Sequence, residues 1–154
     1  MPVSKFQNFD FLTDGEIDIV LTEKIPADEE KGIAPQYEYK ICRHGSAEKM
    51  GRLNIRIGDS ERVFYDGHIG YGIYPEYRGK HYAAKACLIA RQVVVAHGMK
   101  TVTLTCDPDN VASRKTCERI GARLLEIVDM PPAAGSKNLE PRKKCRYLWT
   151  VQDN

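Results

Sequence analysis

GHIGYGIYPEYRGKHYAAKA, residues 67–86, is the stretch on which the fold turns. Its first part, His68–Tyr74, reads as a strand whose Gly70 and Gly72 mark close approach by another backbone or a ligand. Pro75 ends that strand. From Lys80 to His97, Ala83, Ala86, Cys87, Ala90, Val93 and Val94 recur at helical spacing, and Gly98 follows as the stop. Pro75–Ala83 is therefore a turn between a strand and an Ala-rich helix. Backbone N–H groups point outward from such a turn, and the helix adds the positive end of its dipole, which together make an anion site. Arg78 and Lys80 bring charge suited to a phosphate. The plainer reading of the same residues is a tight turn relieved by Gly79, with a solvated basic pair.

Outward from this stretch the pattern is consistent. Upstream, Ile17–Thr22, Tyr37–Arg43 and Gly51–Ile57 alternate as short strands suited to antiparallel pairing. Pro26–Pro35 reads as a loop, and Gly58-Asp59-Ser60 as a turn. Downstream, Met99–Cys106 is a buried-type strand of β-branched residues. Asn110 then caps a helix that stops at Gly121. Leu124–Val128 is a strand, Met130–Glu140 a loop, and Cys145–Val151 a closing strand with Leu148 or Trp149 turned inward. The order predicts one α/β domain over residues 1–154, with a mixed central sheet and helices on both faces. The central strand–helix–strand unit is expected to be right-handed, its strands parallel and splayed at their C-terminal ends, with Asn110 beside the gap.

Composition narrows the function. The chain has 154 residues, 42% of them apolar, and a net charge of +2, too balanced to support a nucleic-acid partner. No segment has the apolar length of a membrane span, and residues 1–16 do not read as a signal peptide, so a cytoplasmic protein with no membrane partner is expected. Five widely spaced cysteines in an odd number predict reduced thiols. They form no C-x-x-C pair, and the four histidines are scattered, so no metal site is expected.

The first stretch resembles the acetyl-CoA-binding motif of GNAT acyltransferases, closest to their ribosomal-protein alanine N-acetyltransferase (RimJ/RimL-like) branch. DPDNVASRKTCERIGA, residues 107–122, is similar to the Asn-x-x-Ser helix of the same branch, in the expected order and at the expected distance. The resemblance implies acetyl-CoA as co-substrate and an amine acceptor, either a small molecule or a protein N-terminus. Transfer would be direct, in a ternary complex; a homodimer stays open. The alternatives are a non-catalytic acyl-CoA-binding module and an enzyme for a different acyl group. The resemblance also assigns residues. The backbone of Tyr71, Gly72 and Ile73 would pair with the pantetheine arm. Tyr77, Arg78, Gly79, Lys80, His81, Tyr82 and Ala83 would wrap the pyrophosphate. Asn110 would bond the pantetheine from the other side.

Two departures stand out. His81 occupies the place of the second glycine of the phosphate turn. Cys117 stands where many relatives carry a tyrosine that protonates the leaving thiolate. Cys117 is thus a candidate acid or a core thiol, and Ser113 of the Asn-x-x-Ser motif is the alternative acid or a helix-capping residue. The carboxylate some relatives use as base is replaced by Thr105, which leaves His68 as the titratable candidate, with Asp66, Glu61 and water also open. Lys137, Arg142, Lys143, Lys144 and Arg146 form a basic run, read either as a solvated strand edge or as a site for an acidic group.

Overall fold

The computed structural model describes residues 6–131 and 142–152. Five strands form an antiparallel sheet in sequential order: β1 (Phe11–Thr13), β2 (Ile17–Ile25), β3 (Gln36–Arg43), β4 (Lys49–Arg56) and β5 (Ile69–Ile73). A second antiparallel sheet has the order β6 (Thr101–Cys106), β8 (Arg142–Thr150), β7 (Arg123–Met130). The helices are α1 (Glu61–Asp66), α2 (Tyr82–Ala96) and α3 (Val111–Arg119). The α/β architecture matches the expectation. The described ladders are antiparallel throughout, however, so the anticipated mixed sheet is two sheets that meet where β5 approaches β6.

That meeting is narrow. His68 N–H donates to the Thr103 carbonyl at 2.7 Å, and no ladder links β5 to β6 among the described residues. Gly67 makes the approach feasible. Its φ is +79°, and a Cβ there would press on the backbone of Thr103, Leu104 and Thr105. Of the two glycines expected to mark a close contact, Gly70 does, since a Cβ there would run into the Asn54 side chain, and Gly72 does not. A Cβ on Gly72 would meet open space, whereas one on Gly51 of β4 would collide with the Gly72 carbonyl oxygen. A bulge lies beside Gly51, because the β3–β4 register slips between Ile41–Gly51 and Cys42–Lys49 and leaves Met50 over.

The core lies between the sheets and α2. Its helical stripe is as expected at Ala86, Cys87, Ala90, Val93 and Val94, all fully buried. Both longer helices end on the same hydrogen-bond pattern: Met99 N–H reaches Val94 O after α2, and Ala122 N–H reaches Cys117 O after α3. On β8 it is Trp149 that turns inward. β8 is the central strand of its sheet, so the basic run is not an edge, contrary to the solvated-edge reading. Lys143 pairs with Asp129 at 2.8 Å, Lys144 with Asp107 at 3.1 Å, and Arg146 with Glu126. Lys137 and most of the loop expected at 130–140 lie outside the described residues. All five cysteines are free and buried. No helix among the described residues is long and apolar enough to cross a membrane.

Candidate functional site

The register of β5 decides which of its amides are spent. Arg56 N–H donates to His68 O at 2.6 Å, and Tyr74 N–H to Met50 O at 2.9 Å. With the β4–β5 pairing of Asn54 to Gly70 and Arg52 to Gly72, the hydrogen-bonded positions are His68, Gly70, Gly72 and Tyr74. The N–H and C=O groups of Tyr71 and Ile73 therefore point to the other edge, where β6 has splayed away. Among the described residues only Arg78, whose Nε donates to Ile73 O at 2.9 Å, reaches this stretch of edge.

The open edge runs into the turn before α2. Pro75–Tyr77 form one turn of 3-10 helix, and the Tyr77 hydroxyl anchors it by donating to Glu48 Oε1 at 2.6 Å. The first helical bond of α2 is Lys85 N–H to His81 O at 3.0 Å. Upstream of it, the N–H groups of Gly79, Lys80, His81, Tyr82, Ala83 and Ala84 have no acceptor among the described residues. Gly79 has φ +89° with no atom of the described residues near its missing side chain, so one face of the turn is bare backbone. His81 also follows a glycine-like path, with φ +63° and ψ +25°, and its exposed ring makes no cap bond. His81 thus takes the left-handed backbone open to a glycine, at a strain of about 1–2 kcal/mol. Lys80 is exposed beside it.

Across the gap stands α3. Asn110 is its N-cap, and Oδ1 accepts from Ser113 N–H at 3.1 Å, so the side-chain oxygen is engaged within the helix. Ser113 is freed from capping. Its hydroxyl lies 2.7 Å from the Tyr71 hydroxyl. Cys117, one turn further on, is fully buried. Burial pushes its thiol up to about 12, partly opposed by the neighbouring Tyr71 hydroxyl. Burial likewise drives the Tyr71 phenol far above its usual range. Tyr71 was expected to contribute only backbone; its hydroxyl, lying between α3 and β5, is the site feature that the sequence reading missed. One signal was available: an aromatic between two strand glycines, facing a helix.

His68 lies apart from this cluster. It lines a cavity of about 280 Å³ together with Gly58, Asp59, Met99, Thr101, Val102 and Thr103. Its Nδ1 accepts from Thr103 N–H at 2.9 Å, so the neutral ring carries its proton on Nε2. Burial holds the imidazole below its usual value, although the Asp59 carboxylate, 3.5 Å from Nε2, works in the other direction. With its lone pair engaged, the ring clips β5 to β6 and has none left to offer an amine. Thr105 is also committed, donating to Tyr65 O at 2.8 Å, and Glu61 and Asp66 are exposed on α1.

The model of the acetyltransferase (GNAT) domain matches residues 5–123. No curated protein matches the sequence. Among solved structures, the microcin C7 self-immunity acetyltransferase MccE, in complex with acetyl-CoA and AMP, superposes with a TM-score of 0.59 at 20% identity. That match covers 75% of this chain and 61% of MccE. An acetyltransferase from Salmonella typhimurium that modifies the N-terminal serine of ribosomal protein L7/L12 gives 0.58 at 19% identity, covering 80% of this chain and 67% of its own. A Chromobacterium violaceum protein assigned to the GNAT family gives 0.67 at 13% identity, covering 98% and 96%. At these identities the likeness is one of fold.

Proposed function

From the premise that the chain belongs to the GNAT acetyltransferase family, we propose that it uses acetyl-CoA to acetylate a primary amine within a single domain spanning residues 1–154. One observation carries the reading: among the described residues, the edge of β5 that no strand pairs leads directly into six consecutive N–H groups without an acceptor, Gly79 to Ala84, at the N-terminus of α2. An extended ligand with amides along its arm and a pyrophosphate at one end fits that order of features. Tyr71 and Ile73 would pair with the pantetheine arm, and Asn110 would add only its Nδ2 donor. The acyl carbonyl would lie near Ile73, whose outward N–H would polarise it.

The amine would attack the carbonyl carbon as the C–S bond breaks and the sulfur leaves with the electron pair. Ser113 would donate a hydrogen bond to that sulfur. Cys117 would remain a core thiol. The amine's proton would pass to water, because His68 and Thr105 are both engaged, and positioning would supply most of the acceleration. An N-terminal residue of a protein and a small amine are both acceptors that such a cleft could serve.

The engaged His68 and Thr105 also favour a second reading, a domain that binds acyl-CoA without turning it over. Thermal shift with CoA tests the first step, and thiol release from acetyl-CoA across an amine panel separates the two readings. CoA should raise Tm by mass action, and Gly79→Val should abolish the rise, because a β-branched residue is excluded from φ +89°. No rise in the wild-type protein at millimolar CoA would defeat both readings. A rise without thiol release would leave only the second.

A further inference from the structure

We infer that the Tyr71 side chain is a positioning residue: set on Ser113 across the cleft, it aims the serine hydroxyl at the sulfur of the bound thioester. The inference rests on the acetyl-CoA reading above, and it concerns the tyrosine hydroxyl, which that reading leaves without a role.

A serine inside a helix usually donates its hydrogen to the carbonyl one turn back. Thr116, on the same helix, does this, donating to Ala112 O at 3.0 Å. The Ser113 hydroxyl is held differently, 2.7 Å from Tyr71. Tyr71 is in position to donate. The phenol stays protonated because burial opposes its ionisation, and its nearest acceptor is Ser113 Oγ, since the Ser113 carbonyl lies 3.4 Å away. Once Oγ accepts from Tyr71, the serine's own hydrogen must point elsewhere. A sulfur is already under its influence: burial pushes the Cys106 thiol up, and Ser113 draws it back down. A thioester sulfur leaving between β5 and α3 would ask the same of the same hydroxyl. The family's helix tyrosine is replaced here by Cys117, and Tyr71 brings a phenol to that neighbourhood from the facing strand. No proton need leave either hydroxyl; the pair would stabilise the thiolate by hydrogen bonding alone.

The test reads the sulfur directly and needs no acceptor amine. CoA is bound to wild type, Tyr71→Phe, Ser113→Ala and the double variant, with saturation and folding judged by thermal shift. Its thiol is then titrated by thiolate ultraviolet absorbance, with each protein's own absorbance subtracted. Tyr71→Phe should bind CoA normally yet lower the thiolate fraction at a fixed pH about three- to tenfold, the effect of one neutral hydrogen bond. Ser113→Ala should lower it at least as much, and the double variant should match Ser113→Ala because both act through one contact. A wild-type titration in Tyr71→Phe overturns the inference. So does an unchanged titration in Ser113→Ala, or a double variant below Ser113→Ala. In each of those outcomes the acetyl-CoA reading survives. Failure of wild type to bind CoA overturns that reading and this one together.

Discussion

The two edges of β5 differ in kind. Toward β4 the strand is sealed by a ladder, and Gly51 is packed so closely that it admits no side chain. Toward β6 it is held at one end by the His68–Thr103 clip, and among the described residues no strand pairs with Tyr71 and Ile73 there, only Arg78 reaching the Ile73 carbonyl. An unpaired edge inside a fold is costly unless something completes it, because each amide has lost water or must keep it. The contrast shows that the sheet is divided at a chosen place. The closed edge supplies stability and the open edge supplies a surface with the chemistry of a missing strand.

Substitutions can break each side of that contrast separately. The largest effect is expected at the closed edge. Gly51→Val would drive a side chain into the Gly72 carbonyl, and a loss of about 3 kcal/mol or more is expected from chemical denaturation.

The clip should come next. His68→Ala leaves the buried Thr103 N–H without an acceptor, a cost of about 1–3 kcal/mol. The clip is also sensitive to pH. The folded-state value of His68 lies below 6.5, so the unfolded chain binds the proton more readily. The contribution is therefore complete above pH 6.5 and is lost as pH falls from there through the folded-state value. Asp59 opposes that depression, and Arg56 reinforces it. Tm should fall below pH 6.5, and His68→Asn, with an amide oxygen near the place of Nδ1, should flatten part of the fall. His97 is depressed in the same direction by burial and should account for a remainder.

The smallest effect is expected at Gly72, where a Cβ meets open space. Gly72→Ala should change stability by less than about 1 kcal/mol in either direction.

Much of this was legible in the residues. Helical spacing and the terminal glycines located α2 and α3, and the strand-to-helix turn around Gly79 stood out because phosphate chemistry needs bare backbone at a helix start. β1 and α1 escaped notice because neither is long enough to show a period. Ser60 does cap α1, accepting from Val63 N–H at 3.2 Å, but six residues carry too little pattern to announce a helix. The division of the sheet was only half legible. Alternation marks strands without saying which edges pair, and the deciding glycines proved to be Gly51 and Gly67 rather than Gly72. The roles of His68 and Tyr71 depended on partners 35 and 42 residues away, and local sequence carries no record of such contacts.

Whether CoA binds along the open edge of β5 is measured directly by residue-resolved amide hydrogen exchange. With CoA bound, the amides of Tyr71 and Ile73 should slow by at least tenfold, while those of Gly70 and Gly72, already paired with β4, should stay nearly unchanged. Equal protection along all of β5, or no change at Tyr71 and Ile73 while CoA raises Tm, would contradict binding there.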